Sequence, residues 1–195
     1  MKKIALTSLM AVMAASSAQA ANYFVGGSAA FQLDKEHENM VMVAPELGYK
    51  YNNNWDFGAD LSFAYAREEA TEVPADTYGY GAGVFARYKV AQFGGAKLLL
   101  KGRVGADFET YTSDIDKIDG ETAISLNASI IPMVTYDVSE SFTLYANLNF
   151  LGVYAGYDFE NKDLDRKSDW GVGGYANSGN VANTADFQIG FLYNF

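Results

Sequence analysis

The chain has 195 residues, enough for one sizeable domain. It has no cysteine, which excludes a disulfide scaffold and a lipid anchor on an N-terminal cysteine. Its 24 Asp and Glu outnumber 14 Lys and Arg, and this acidic balance argues against nucleic acid as a partner because phosphate binding requires a basic surface.

The first twenty residues have the pattern of a secretory signal peptide. Two lysines follow the initial methionine, an apolar run covers residues 4–15, and Ala18 and Ala20 form the small-x-small motif that signal peptidase cleaves. The apolar run is shorter than the roughly 20 residues that a membrane-spanning helix needs. We therefore predict export and a mature domain at 21–195, whose formal charge is −12 once the two lysines are removed from the −10 of the whole chain.

The mature chain alternates apolar residues with small or polar ones, which is the period of a β-strand with two different faces. The pattern predicts eight strands, at 23–33, 40–51, 55–66, 78–90, 97–108, 122–137, 142–154 and 184–195. Short turns alternate with long, charged loops between them. All the tight turns therefore lie at one end of an up-and-down sheet, the turn end, and all the long loops at the other, the loop end.

The strands carry large apolar side chains on one face, and no helical pattern is present to cover it. In a bilayer every backbone polar group must be satisfied within the protein, so a sheet must close into a barrel with an apolar lipid face and a polar lumen. We predict an all-β fold, a closed up-and-down antiparallel transmembrane barrel of eight strands. Pro45 and Pro132 fall within strands, where proline removes a donor of the ladder, and we predict bulges at both.

Aromatic residues cluster near both ends of the predicted strands, as in the interfacial girdles of membrane barrels. Those near the turn end are Tyr49, Tyr51, Trp55, Phe57, Tyr88, Tyr136, Phe142 and Tyr193, and those near the loop end are Phe31, Tyr65, Tyr78, Phe108 and Tyr154. We predict two rings of aromatic side chains at the two membrane surfaces.

With this signal peptide, strand pattern, loop alternation and terminal aromatic strand, the mature chain resembles the small outer-membrane barrels typified by OmpX and the transmembrane domain of OmpA. The resemblance implies a Gram-negative outer membrane, contact with its lipid and lipopolysaccharide, and a non-enzymatic role in envelope structure or in surface interaction through the loops. In that family the outer-membrane insertion machinery reads the final aromatic strand, and Phe191, Tyr193 and Phe195 would supply that signal here.

Six charged residues share the lumen-facing side of the predicted strands. They are Glu46, Asp60, Arg87, Lys101, Arg103 and Asp107. The interior of an eight-stranded barrel is just wide enough to be filled by side chains, and buried charges are costly unless they are paired. We predict that these charges pair and plug the lumen. A narrow porin-like channel for small solutes is the alternative.

Other interpretations have less support from the sequence. The acidic segment 114–121 lacks the spacing of an EF-hand loop, so neither a metal site nor a cofactor is predicted. His37 and Thr77 could supply the base and hydroxyl of a lipid A-modifying barrel enzyme, but such an enzyme needs an apolar pocket for an acyl chain. A soluble carrier of lipocalin type would place its apolar residues inside. The glycine-rich stretch 170–180 is predicted to be a surface loop or a strand extension, with a surface partner as a further hypothesis.

Overall fold

The computed structural model of the protein describes residues 22–32, 38–68, 75–113, 122–149, 151–159, 167–175 and 187–195. The described strands are β1 (Tyr23–Gln32), β2 (Glu38–Lys50), β3 (Trp55–Glu68), β4 (Ala75–Phe93), β5 (Ala96–Ser113), β6 (Thr122–Asp137), β7 (Phe142–Leu148), β8 (Gly152–Asp158), β9 (Asp169–Tyr175) and β10 (Phe187–Asn194). None of the described residues belongs to a helix that is long and apolar enough to cross a membrane.

Eight of these strands form a closed ring. Each strand from β1 to β6 pairs with the next in antiparallel orientation, β7 pairs with β10, and β10 pairs with β1. The predicted fold class, an all-β, closed, up-and-down antiparallel barrel of eight strands, is therefore confirmed.

The remaining two strands extend the ring toward the loop end. β8 follows β7 along the edge of β6, and β9 pairs with β8. The predicted seventh strand at 142–154 is thus divided into β7 and β8. β9 covers the first part of the glycine-rich stretch at 170–180. For the residues of β9, the predicted strand extension is confirmed and the predicted surface loop is not.

The β4–β5 hairpin is longer than predicted. β4 has 19 residues and β5 has 18, and both continue into charged residues beyond the apolar alternation. The two strands are joined at the turn end by Gly94, whose φ of 62° lies in the left-handed region that glycine adopts without steric cost. The ladder between them shifts register between Lys89 and Ala91.

The register fixes how steeply the strands tilt. We start at Phe63 on β3 and step from each residue to its paired residue on the next strand. In one direction round the ring these steps reach β6 at Ile124, and in the other direction they reach β6 at Val134, which is ten residues away. One circuit therefore advances about 33 Å along the strands while it crosses about 38 Å of sheet, which gives a tilt of about 40°. A barrel of this geometry has a lumen that side chains can fill.

Neither predicted proline bulge is present. Pro45 continues the β1–β2 ladder in register, opposite Gly27, and β2 keeps the same register with β3 on both sides of it. The β2–β3 pairing is only interrupted at Ala44 and Pro45, which a missing amide donor explains without an extra residue.

Pro132 also continues its strand, opposite Leu100 on β5. The irregularity lies in the partner strand instead. On its other edge β6 pairs Met133 with Asn147 but Ile130 with Val153, so the chain gains three residues between β7 and β8 opposite the proline. The absent amide of Pro132 coincides with the point at which its neighbour leaves the ladder.

Both ends of the barrel carry clustered aromatic side chains on the outer face. At the turn end, Trp55 stacks on Phe57 with ring centroids 5.9 Å apart and contacts Tyr88 at 4.9 Å. At the loop end, Tyr65 and Tyr78 lie 5.3 Å apart. Between these two levels the outer surface consists of exposed apolar side chains such as Val104, which is 60% exposed.

Candidate functional site: the charged lumen

The six charged residues predicted for the lumen form one connected set in the structure. Their contacts run along the wall from β2 to β5. In order, these are Arg87 Nη2 to Glu46 Oε1 at 2.5 Å, Lys101 Nζ to Glu46 Oε2 at 3.4 Å, Lys101 Nζ to Asp60 Oδ2 at 3.9 Å, Arg103 Nε to Asp60 Oδ1 at 2.8 Å and Arg103 Nη2 to Asp107 Oδ1 at 3.9 Å. We call this set the charge network. It has three cations and three anions and is neutral as a whole.

The strand register explains why the charges meet. Glu46 lies directly opposite Asp60 on β2 and β3, and Arg87 lies directly opposite Lys101 on β4 and β5. Like charges opposite one another destabilise a sheet. The acidic pair and the basic pair sit on neighbouring parts of the wall, so each compensates the other across the ladder.

Glycine makes room for one of these contacts. Arg103 on β5 reaches Asp60 on β3 by passing over Gly83 of β4, where an added Cβ would lie 2.7 Å from Arg103 Nε. Gly83 is the direct partner of Asp60 in the ladder. The contact between β3 and β5 therefore depends on the missing side chain of the strand between them.

Asn127 joins the charge network and was missed by the sequence analysis. Arg103 Nη1 donates a hydrogen bond of 2.8 Å to Asn127 Oδ1, and Asn127 Nδ2 donates to Asp107 Oδ2. The amide thus links a cation to an anion that are 3.9 Å apart. Its inward position on β6 follows from the alternation, but a search restricted to charged residues passes over it.

At the turn-end part of the charge network, three aromatic side chains point into the lumen and surround Arg87. The Arg87 Cζ atom lies 4.5 Å from the ring centroid of Phe85, 5.2 Å from that of Phe24 and 5.5 Å from that of Tyr145. Leu99, Met133 and Leu192 complete the same buried cluster. We call these six side chains the aromatic layer; they enclose Arg87, which belongs to the charge network.

Each ring of the aromatic layer lies opposite a glycine. Phe24 pairs with Gly48, Phe85 with Gly58 and Tyr145 with Gly190. A Cβ at any of these glycines would collide with the facing ring. The sequence analysis missed this layer because it assigned aromatic residues to the lipid face. The inward glycines were the available signal, since an aromatic residue commonly covers a glycine across a strand pair.

Exposure rises steadily from the aromatic layer toward the loop end. The side chains of Arg87 and Glu46 are 0% and 1% exposed, Arg103 is 17% exposed and Asp107 is 37% exposed. Asp60 Oδ2 is buried and has no hydrogen-bond partner among the described residues, although Lys101 Nζ is near it. The network is therefore buried toward the turn end and accessible to solvent toward the loop end.

This barrel is similar to two solved outer-membrane proteins. One is Neisserial surface protein A, with 16% identity and a TM-score of 0.49 over 89% of this chain and 97% of that one. The other is a major outer membrane protein from Thermus thermophilus, with 13% identity and a TM-score of 0.50 over 89% of this chain and 98% of that one. The likeness to the Thermus thermophilus protein is one of fold. No protein-family model and no curated protein matches the chain.

The three residues predicted as an insertion signal lie together on the last strand and just beyond it. Phe191 stacks against Phe142 of β7 with centroids 5.8 Å apart, and Tyr193 contacts Phe195 at 5.2 Å. Phe191 and Tyr193 are exposed on the outer face of β10. The geometry presents an apolar aromatic edge at the turn end, and its role in insertion stays a prediction.

The remaining predicted residues are remote from the lumen network or lie outside the described residues. Ala18, Ala20, His37 and the acidic segment 114–121 are outside them. Thr77 lies on β4 near the loop end, opposite Tyr111 of β5, and its neighbour Asp76 accepts a hydrogen bond of 2.9 Å from the Tyr65 hydroxyl. Within the described ranges, no group of three or more His, Cys, Asp or Glu residues could hold a metal ion.

Proposed function

We propose that this chain is an integral, non-enzymatic outer-membrane β-barrel protein with a plugged polar lumen. The observation that carries the proposal is the distribution of side chains, which is the inverse of that in a soluble protein. Val84, Val104 and Ile189 are more than half exposed on the outside, whereas Glu46 and Arg87 are buried inside. Extensive exposed apolar surface marks contact with another apolar phase, and here it runs round the barrel.

The outer face carries a band of exposed apolar side chains between the two aromatic clusters, which we call the apolar belt. Its height fits a bilayer. Trp55 and Tyr65 lie on the outer face of β3, ten residues apart, near the two ends of the belt. With a rise of about 3.3 Å per residue and a tilt of about 40°, this separation corresponds to a height of about 25 Å. Membrane barrels have an apolar band of about 25 Å between their aromatic girdles. Lipid and lipopolysaccharide are thus the proposed neighbours of the belt.

The filled lumen supports a plug. Side chains of the charge network and the aromatic layer occupy the interior of the turn half, and the charges neutralise one another. The proposed role is then to hold a stable barrel in the outer membrane and to present acidic loops outside, for envelope structure or a surface partner. A narrow channel is the second candidate, favoured by the partial solvent exposure of Arg103 and Asp107.

Cell fractionation with heat-modifiability gels tests the proposal. The full chain is expressed in a Gram-negative host, and outer-membrane and soluble fractions are run with and without boiling, beside a periplasmic marker protein. We expect the chain in the outer-membrane fraction, with a mobility that changes on boiling because the closed barrel resists detergent. Recovery with the periplasmic marker would overturn the membrane assignment and favour a soluble carrier.

Planar-bilayer recording separates the plug from the channel. Purified, refolded protein is added to a bilayer in symmetric salt, with a known porin as positive control. We expect no steps of current from the plugged barrel. Regular conductance steps that scale with protein concentration would instead establish the narrow channel and remove the plug from the proposal.

A further inference from the structure

We propose that the barrier to ions in this lumen is the aromatic layer, and that the salt bridges of Arg103, in the loop-end part of the charge network, do not form the barrier. This inference rests on the proposed plugged membrane barrel and identifies the residues that close it. It separates two features that a plug could use: paired charges that bind one another, and packed rings that exclude water.

The aromatic layer is the dry section of the lumen. Phe24, Phe85 and Tyr145 are each less than 5% exposed, and Arg87 and Met133 are fully buried. Apolar constrictions block ions because an ion must shed its hydration shell to enter and finds no replacement ligands there. The Arg87 guanidinium does not open a wet path, since rings pack around it and its carboxylate partner Glu46 is equally buried.

Water-accessible charges lie on both sides of this layer. Toward the loop end, the side chains of Arg103 and Asp107 are 17% and 37% exposed. Toward the turn end, Lys97 and Asp137 form an ion pair of 2.6 Å, with side chains 26% and 34% exposed. Solvent-exposed charges therefore flank the layer on both sides, and the part of the charge network around Arg103 is itself accessible to solvent.

The strand register fixes the rings in place. Each ring fills the space over a glycine of the adjacent strand, so none can rotate away without leaving a void beside that strand. Phe85 is central, because its ring faces both Arg87 Cζ at 4.5 Å and Lys101 Nζ at 4.7 Å. Removal of this ring should open the barrier, whereas removal of the Arg103 charge should not.

Conductance of three variants beside the wild type tests the proposal. Phe85→Ala removes a ring of the layer, Arg103→Gln removes a charge of the network, and Phe63→Ala removes a ring from the outer face as a matched control. All must first show the heat-dependent gel shift of a folded barrel. We expect current at least tenfold above the wild type from Phe85→Ala and no increase from the other two.

Thiol labelling provides a second readout, since the chain has no cysteine of its own. In detergent micelles, maleimide should label Ser62→Cys, in the hydrated loop half, at least tenfold faster than Met133→Cys in the dry layer. Phe85→Ala should accelerate labelling of Met133→Cys at least tenfold, and Arg103→Gln should leave it unchanged.

The outcomes separate the two proposals. If Arg103→Gln conducts and Phe85→Ala stays closed, or if neither variant changes conductance or labelling, the aromatic layer is not the barrier and the inference falls while the plugged barrel stands. If the wild type itself conducts, the plugged lumen fails and the inference falls with it.

Discussion

Neutralising Glu46 should destabilise the barrel more than any other single change in the charge network. Its two carboxylate oxygens face two cations, Arg87 at 2.5 Å and Lys101 at 3.4 Å, and its side chain is 1% exposed. Glu46→Gln keeps the shape but leaves both cations buried without their shared anion. Breaking a buried ion pair by removing one partner typically costs about 3–5 kcal/mol, and we expect a loss of about that size.

Asp137→Asn is the matched control for burial. Asp137 pairs with Lys97 at 2.6 Å, a distance similar to that between Glu46 and Arg87, but the two side chains are 26% and 34% exposed. Pairs that remain in contact with water contribute about 0–1 kcal/mol, so the control should lose less than about 1 kcal/mol. Because the separations match, a difference between the two variants reports on burial.

The assay is reversible urea unfolding in lipid vesicles, followed by tryptophan fluorescence and by the heat-dependent gel shift. The double variant Glu46→Gln/Arg87→Met should recover part of the loss, because it removes one of the two buried cations that have lost Glu46 as their shared anion. Equal losses for Glu46→Gln and Asp137→Asn, to within about 1 kcal/mol, would refute the argument that burial makes the lumen pairs strong.

Three further predictions follow from other parts of the barrel. Leu61→Arg places a charge in the apolar belt and should cost about 2–4 kcal/mol in vesicle unfolding, with Leu61→Ala to separate lost packing; no excess over the alanine variant would argue against a lipid face. Gly58→Ala should cost about 1–3 kcal/mol because its methyl group meets the Phe85 ring, whereas Gly171→Ala, with no atom within 4 Å of an added Cβ, should cost under about 0.5 kcal/mol. Phe195→Ala should lower the amount of protein assembled in the outer membrane severalfold at equal synthesis, while unfolding of the refolded barrel changes by less than about 1 kcal/mol; unchanged assembly would remove Phe195 from the insertion signal.

The outer face and the number of ring strands could be predicted from the sequence because the barrel wall is a single sheet, in which every side chain faces either the lumen or the outside. Alternation then reports directly on which side each residue faces. Phe57 and Leu61 are exposed outside, and Asp60 is buried inside, as their phase on β3 indicates. The tilt could not be predicted, because it depends on register between strands, to which the alternation along one strand is insensitive.

The inward aromatic residues show where that logic failed. Phe85 has the phase of Arg87 on β4, so its inward position could be read from the pattern. The prediction instead followed residue type, which places rings at the lipid surface. The proline bulges failed for a different reason. A missing donor was equated with an extra residue, but at Pro45 the ladder simply lacks a pairing, and at Pro132 the neighbouring strand changes register.

The lumen contacts also bear on how the chain selects one register. Lipid does not distinguish a barrel with Val84 opposite Val104 from one shifted by two residues, because both present apolar side chains to the same solvent. The lumen does distinguish them. A shift of two residues between β3 and β4 would move Phe85 away from Gly58 and Gly83 away from Asp60, so a ring would meet a side chain and Arg103 would lose its passage to Asp60. We therefore expect the glycine–aromatic pairs and the charge network, more than the apolar belt, to specify the register and with it the tilt of the barrel.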